Sequence, residues 1–446
     1  MTQPAYTPPP DDQAIPLATS EPVKTRVPDD SQLAARWIMY NRQAKWGMGE
    51  WRKYKDGIWP PVDKDVIKQE IKSVIDKAKP EGVKSTAGIL SSVMELARVD
   101  ISIPADMWDA NPDYLPCRNG VLHIPTKSLL PHTPDIYATS QLPFDYDPAA
   151  TCPNFLQALQ QVPEAIDFIQ EFAGYALTVD VRHEIAVWFQ GAPGSGKSTI
   201  IEGLQAMLGT RAGNLGLAEI ERSRFAFSEL PGKTLVVSTE NPDSYMKMTH
   251  TLNALISGEP IRIEEKFREA ITIRPHVKIL WAMNDLPRVS SANNGLMRRV
   301  KVIKFPSLPE DQKDPDLKER IKTEGAGILN WALIGLQRLN NRGKFEIPKG
   351  VQEATQEFQD KNDIAAVFLD EIGAVIDLTD PNCRIQSQEL YDKYNDWCRR
   401  NGHLPMSSTK MAEEWKRLKF EKRKIHGVVY WLGVEIPPPG FTGKVP

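Results

Sequence analysis

The chain has 446 residues, room for two to four domains, and its apolar and charged fractions are those of an ordinary globular protein. Its net charge is −3, so it is no polycation, and any nucleic-acid contact must come from local basic patches. Four scattered cysteines without CxxC spacing exclude a zinc-finger or disulfide framework, and neither a signal peptide nor an apolar run long enough to span a bilayer is expected.

Residues 1–30 are rich in proline and acidic residues and read as a disordered tail. A first folded, α-rich unit is expected over 31–151. It opens with a helix over 31–45. "WRKYKDGIWPPV" then reads as a hairpin turning at Asp56-Gly57, followed by helices over 62–79 and 85–99 and a short β-rich piece turning at Asn119-Gly120. Arg36, Arg42, Lys45, Arg52, Lys53 and Lys55 interleave with Trp37, Tyr40, Trp46, Trp51, Tyr54 and Trp59. Two readings stand there: stacking on single-stranded nucleic acid, or an aromatic core beneath a solvated basic face.

Over 152–345 short apolar runs alternate with helical stretches. "IAVWFQ", "TLVVSTE" and "VKILWAMN" show no polar alternation, which suits buried parallel strands, so this region is α/β. The first run leads into Gly191, Ala192, Pro193, Gly194, Ser195, Gly196, Lys197, Ser198 and Thr199, which fit G-x-x-x-x-G-K-[ST], and a helix follows. The glycines let backbone N–H groups curl around phosphate oxygens, and the helix N-terminus adds its positive dipole end. Lys197 is expected to reach the β- and γ-phosphates of ATP and Ser198 to ligate Mg²⁺. Glu240, directly after the second run, is the candidate for holding Mg²⁺ or polarising water, with Asp243 a weaker helper. Asn284 tips the third run, where an amide can bond the attacking water or the γ-phosphate. Arg298 and Arg299 precede another apolar strand, and an arginine supplied across a subunit interface stabilises charge on a transferring phosphoryl group.

Over 346–436 the pattern is helical and then β. "SQELYDKYNDWCRRNG" stops at Gly402, "SSTKMAEEWKRLK" is capped by Ser407 or Ser408, and "EKRKIHGVVYWLGVEI" reads as a ribbon, together a winged helix-turn-helix. Lys416, Arg417, Lys419, Lys422, Arg423 and Lys424 cluster there as a candidate duplex contact, whereas Trp397, Trp415 and Trp431 read as core. Residues 437–446 read as a second tail.

The order of phosphate loop, acidic strand, Asn-tipped strand and arginine resembles superfamily 3 helicases, ring ATPases of the AAA+ type. "ISGEPIRIEEKFREAITIRPHVKILWAMN" is similar to the segment that forms their channel hairpin, and the pair Lys266-Phe267 matches its basic and aromatic positions. Residues 115–180 and 390–415 extend the resemblance to primase–helicases of phages, plasmids and poxvirus-type relatives. The resemblance implies a helicase portion without a primase domain. It implies ATP and Mg²⁺ as cofactors, single-stranded and forked DNA as partners, and a homo-hexamer or similar ring. A separate primase or polymerase, no membrane and a bacterial host cytoplasm complete the expectation. Spacing to the following strand favours Arg299 over Arg298 as the finger. Thr239-Glu240-Asn241 departs from the paired acids of many such ATPases, leaving the Mg²⁺ ligands open. Two other functions compete: an ATP-dependent origin-melting initiator or loader, and a P-loop kinase of a small metabolite.

Overall fold

In this computed structural model the described residues are 26–437, except 224, 240, 242–244, 247–248, 265–269, 290–293 and 402. The chain divides into two compact units, one comprising residues up to Trp46 with Val62–Ser102, the other Gly47–Pro61 with the chain from Ile103 onward.

The first unit is helical. α1 (Asp30–Tyr40) opens with a capping box, Asp29 accepting from the Gln32 amide while the Gln32 side chain accepts from the Asp29 amide. It stops at Tyr40 rather than at Lys45, because Asn41 leaves helical conformation and turns its side-chain amide onto the Trp37 carbonyl. α2 (Lys64–Lys77), capped by Asp63, and α3 (Ala87–Asp100), capped by Thr86, fall close to the expected spans. α2 buries Ile67, Ile71 and Ile75, one face of a 3.6-residue period.

In the second unit, Lys55 and Ile58 exchange backbone hydrogen bonds around Asp56 (φ 51°) and Gly57 (φ 86°), the expected two-residue turn. Trp51 and Trp59 are buried, as is Arg52, which donates to the Trp59 carbonyl and lies over the Trp108 ring. These residues form an aromatic core rather than a stacking surface. β1 (Tyr114–Cys117), β2 (Gly120–His123) and β3 (Ser128–Leu130) form an antiparallel sheet. Cys117 pairs with Gly120, so the connecting loop is Arg118-Asn119, one residue earlier than expected. Asn119 bonds both backbone groups of Tyr146, and Gly120 is needed inside the ladder because a Cβ there would lie 2.5 Å from the Leu130 oxygen.

The principal strands that follow are β4 (Ala186–Gln190), β5 (Ala212–Asn214), β6 (Leu235–Ser238), β7 (Ile261–Ile263), β8 (Ile271–Ile273), β9 (Lys278–Met283) and β10 (Val300–Lys304). Five of them make an all-parallel sheet in the order β10-β4-β9-β6-β5, while β7 and β8 pair as an antiparallel hairpin. The principal helices are α4 (Pro153–Leu159), α5 (Ile166–Ala176), α6 (Lys197–Leu208), α7 (Thr249–Ser257), α8 (Asn294–Arg299), α9 (Gly325–Arg342) and α10 (Lys349–Lys361). Both sheet faces are covered, which explains strands without polar alternation. Val187, Phe189, Leu280 and Ala282 join one core with Phe172, Leu204 and Leu329. Ala186, Trp188, Ile279 and Trp281 join the other with Leu255 and Phe358. Trp188 and Trp281, register partners on adjacent strands, stack with ring centroids 5.9 Å apart.

Two glycines let α5 and α9 meet backbone to backbone. A Cβ on Gly174 would lie 2.4 Å from the Ala332 oxygen, and one on Gly335 would lie 2.3 Å from the Gln170 oxygen. At the same seam the buried Glu171 carboxylate accepts from Arg338 Nε at 2.7 Å and from Arg342. Asn362, at the end of α10, is buried, accepts the Val289 amide at 2.6 Å and donates to the Phe358 carbonyl. Asn362→Leu strands that amide, so it is expected to cost about 1–3 kcal/mol, read as a lower midpoint in thermal or denaturant unfolding.

The C-terminal part has α11 (Ile364–Glu371), β11 (Arg384–Gln386), α12 (Ser387–Arg400), α13 (Ser408–Arg417), β12 (Glu421–Ile425) and β13 (Val428–Leu432) around a third core that includes Phe368, Tyr394, Trp415 and Trp431. The strands run antiparallel in the order β11-β13-β12, and His426-Gly427 makes the ribbon turn. Ser407 caps α13, and the expected helix stop at Gly402 lies outside the described residues. Trp397, Trp415 and Trp431 are buried, as read from the sequence. Among the described residues no helix is long and apolar enough to cross a membrane.

Candidate nucleotide-binding site

The parallel sheet places the sequence candidates by strand polarity alone. Gly191 follows β4 directly, and its amide donates to the Met283 carbonyl of β9 at 3.3 Å. Asn284, next in the chain, is exposed at this same carboxyl edge, where β6 also ends. Glu240, two residues beyond β6, lies outside the described residues, and so do Asp243, Lys266 and Phe267. The hairpin expected to carry Lys266-Phe267 is present, with Ile261 opposite Ile273 and Ile263 opposite Ile271.

The loop has the backbone that its glycines permit. Gly194 (φ 76°) and Gly196 (φ 86°) are left-handed, and a Cβ on Gly191 would lie 2.5 Å from the Phe305 oxygen. Ala192 and Pro193 are exposed, Ser195 is buried, and Ser198 and Thr199 are half-buried in the first turn of α6. The Lys197 Nζ donates to the Gly191 oxygen at 2.6 Å, the Ala192 oxygen at 2.9 Å and the Ser195 hydroxyl at 3.2 Å. Burial pushes the Lys197 ammonium below the ordinary lysine range. A cation folded onto carbonyl oxygens, beneath a helix N-terminus and a glycine-shaped cradle, fits a phosphate chain, and the half-buried Ser198 hydroxyl fits a hydrated magnesium ion beside it.

Two further residues enter the site region through the fold, and a third meets the arginine pair. Lys313 Nζ lies 3.2 Å from the place of a Gly194 Cβ and is paired with Glu310. Its sequence setting, "PEDQKDPD", carries no sign of a phosphate site. Asn241 is committed to structure, its oxygen accepting the Leu217 amide at 3.1 Å and its nitrogen donating to the Ala282 carbonyl at 3.2 Å. Glu184 receives the Arg299 guanidinium at 2.9 Å through Nε and 2.5 Å through Nη2. Arg299 also donates to Ser257 Oγ and the Gly295 oxygen, both at 2.9 Å, and its side chain is 10% exposed. The Arg298 side chain is 70% exposed and meets the Glu184 carboxylate only at 3.6 Å.

Both arginines stand before β10, whose first residue pairs with the first residue of β4. They are therefore at the amino edge of the sheet, and the phosphate loop is at the carboxyl edge. A cavity of about 700 Å³ is lined by Thr178, Asp180, His276 and Leu336 among others, and no residue of the phosphate loop contributes to it.

In the C-terminal part, Arg417 is tied to Asp363 and Glu414, and Arg423 to Glu421. Lys416, Lys419, Lys422 and Lys424 are exposed, with Lys422 over the Trp431 ring.

Comparison with known proteins adds relatives to this geometry. Residues 34–163 match the family described as "D5 N terminal like", and residues 189–299 match a family of unknown function, DUF5906. The chain is 21% identical over 336 residues to "Putative helicase 121R" of Invertebrate iridescent virus 3, covering 66% of this chain and 36% of that protein. It is 23% identical over 273 residues to "Putative helicase L207/L206" of Acanthamoeba polyphaga mimivirus, covering 56% and 28%. The chain thus spans about a third of the length of these curated relatives. Among solved structures, the apo A form of the NrS-1 C terminal region aligns with a TM-score of 0.51 at 12% identity, covering 92% of this chain and 100% of that one. By these matches and the ordered motifs of residues 191–299, the chain is similar to phage and viral superfamily 3-type primase–helicases.

Proposed function

We propose that this protein is an ATP-dependent replicative DNA helicase of a phage or mobile element, working as a ring on single-stranded DNA. The observation that carries the reading is the meeting of the Gly191–Thr199 loop and Asn284 at the carboxyl edge of an all-parallel sheet, where open α/β sheets bind their ligands. The loop's N–H groups and α6 hold the phosphates of ATP. Lys197 leaves the Gly191 and Ala192 oxygens for the β- and γ-phosphate oxygens. Bound Mg²⁺, held by Ser198 and Glu240, supplies neutralisation of phosphate charge. Asn284 orients the attacking water or the γ-phosphate, and an arginine of the 298–299 pair reaches the nucleotide of a neighbouring subunit.

On this reading the core is of the AAA+ type, and the β7–β8 hairpin carries Lys266 to a backbone phosphate and Phe267 to sugar or base. α12, α13 and the β12–β13 ribbon support reading the C-terminal part as a winged helix-turn-helix, with Lys416, Lys419, Lys422 and Lys424 toward duplex or forked DNA. A homo-hexameric ring, a separate primase or polymerase and a bacterial cytoplasm belong to the same proposal.

Unwinding of forked DNA with either overhang, together with mass measurement with and without ATP, tests it. Strand separation that needs ATP, ATPase turnover raised by single-stranded DNA, and a nucleotide-dependent ring are expected. ATP-dependent assembly and origin melting without processive unwinding would turn the reading into that of an initiator or loader. Turnover indifferent to DNA would return it to a small-molecule kinase.

A further inference from the structure

We infer that Arg298 is the guanidinium delivered to the neighbouring subunit's γ-phosphate, and that Glu184 is a positioning residue that holds Arg299 so that Arg298 projects. This rests on the proposed cross-subunit ATPase and decides which arginine of the pair serves it.

Strand polarity shows that the pair cannot serve its own loop. Val300 is register-paired with Ala186, and the phosphate loop begins after Gln190, at the other end of the strand. At about 3.3 Å per residue that separation is roughly 16 Å, beyond the reach of an arginine side chain. An arginine at this edge acts on another subunit's nucleotide.

The hydrogen-bond inventory separates the two arginines. A guanidinium has about five N–H donors. Arg299 uses its own within the chain: Nε on Glu184, Nη2 on Glu184 and Ser257 Oγ, and Nη1 on the Gly295 oxygen at 2.9 Å and Asn253 Oδ1 at 3.5 Å. These partners come from the middle and end of α7, the first turn of α8 and the segment entering β4, so Arg299 ties three elements together at a nearly buried point. Bringing it to a phosphate would break the Glu184 pair and leave a carboxylate facing the incoming anion. Arg298 needs no such rearrangement. It is the neighbouring residue on α8, its side chain is 70% exposed, and its one charged approach among the described residues is the 3.6 Å distance to Glu184.

Glu184 is itself held in an unusual way. Its φ is 44°, a left-handed conformation that glutamate seldom takes, and its amide donates to the Val181 oxygen at 3.0 Å. The carboxylate is thereby fixed under both arginines, with Arg299 as the rigid arm and Arg298 as the exposed one.

The experiment is complementation of ATP turnover between single variants of the full chain. Arg298→Ala and Lys197→Ala are each expected to lose turnover by on the order of 1000-fold. Mixed in equal amounts they are expected to recover a substantial part of wild-type turnover, because interfaces that join the Arg298→Ala subunit's loop to the Lys197→Ala subunit's arginine are intact. Glu184→Gln is expected to lower kcat about tenfold with KM for ATP unchanged, and Glu184→Asp to restore part of it, a split that a general loss of folding would not produce. Arg299→Ala is expected to lower the unfolding midpoint and Arg298→Ala to leave it unchanged. Arg298→Ala retaining turnover while a folded Arg299→Ala complements Lys197→Ala would overturn the assignment. Wild-type turnover independent of protein concentration, with no mixed-subunit effect at all, would instead overturn the cross-subunit ATPase on which the assignment rests.

Discussion

Lys197→Ala is expected to reduce ATP hydrolysis at least 100-fold while leaving the fold and the unfolding midpoint nearly unchanged. The ammonium's present partners are two carbonyl oxygens and a hydroxyl of its own loop, at 2.6, 2.9 and 3.2 Å. These bonds stabilise a partly buried charge whose pKa burial already lowers, so deleting the charge removes its desolvation cost together with its bonds. Facing a triphosphate the balance differs. The same ammonium is the loop's own cation against several negative oxygens in a site shielded by α6, and nothing replaces it when it is truncated. Steady-state turnover at saturating ATP, paired with nucleotide binding by calorimetry, checks both halves. Turnover within tenfold of wild type would remove Lys197 from the chemistry.

Gly335→Val is expected to have the largest effect on stability. The α5–α9 seam has no room for a side chain, since even a Cβ would lie 2.3 Å from the Gln170 oxygen and 2.4 Å from its carbon. Gly174 makes the reciprocal approach from the other helix. A branched side chain forces the helices apart, breaks the packing of Ala332 and Leu336 against α5, and pulls Arg338 and Arg342 from the buried Glu171. Overpacking costs about 1–3 kcal/mol where neighbours can shift, and here the obstacle is backbone, with a buried ion pair at risk for about 3–5 kcal/mol more. The expected result is a midpoint lower by at least roughly 5 °C, or loss of soluble protein, in a thermal scan followed by circular dichroism. Gly343→Ala is the matched control. Its position has open space, so that variant carries only the strain of φ 75°.

Much of the fold was legible because it follows from local pattern. The apolar runs around Trp188, Val236 and Trp281 are buried parallel strands, since a strand covered on both faces needs no polar alternation. Asp63, Thr86 and Ser407 mark helix starts through the hydrogen bonds that their side chains accept. Where local pattern was ambiguous, tertiary contacts decided. Asn119-Gly120 has the composition of a turn, yet Gly120 belongs to the ladder because the Leu130 backbone passes too close for any Cβ. Helix propensity continues past Tyr40, yet the Asn41 side chain ends the helix.

The site divides in the same way. The loop, Asn284 and the arginine pair can be found from spacing, because each sits next to a strand end. The parts played by Glu184 and Asn241 cannot, because each acquires its partner across tens of residues of chain, and neither can the approach of Lys313 to Gly194. The preference for Arg299 drawn from spacing says nothing of the acceptors that occupy it, and those acceptors lie at positions 184, 253, 257 and 295.

The placement of the phosphate loop and the arginine pair at opposite edges of one sheet also constrains any assembly that uses both. A two-fold pair serves both sites only if its two sheets run antiparallel, each loop edge meeting the other's arginine edge. The alternative is a heterologous contact, with one subunit's loop edge against the next one's arginine edge. Such contacts either close into a cycle, in which every nucleotide has its arginine, or leave an open series. In an open series the first subunit's arginine and the last subunit's loop go unused, so a chain of n subunits hydrolyses at n − 1 sites and closure adds the last.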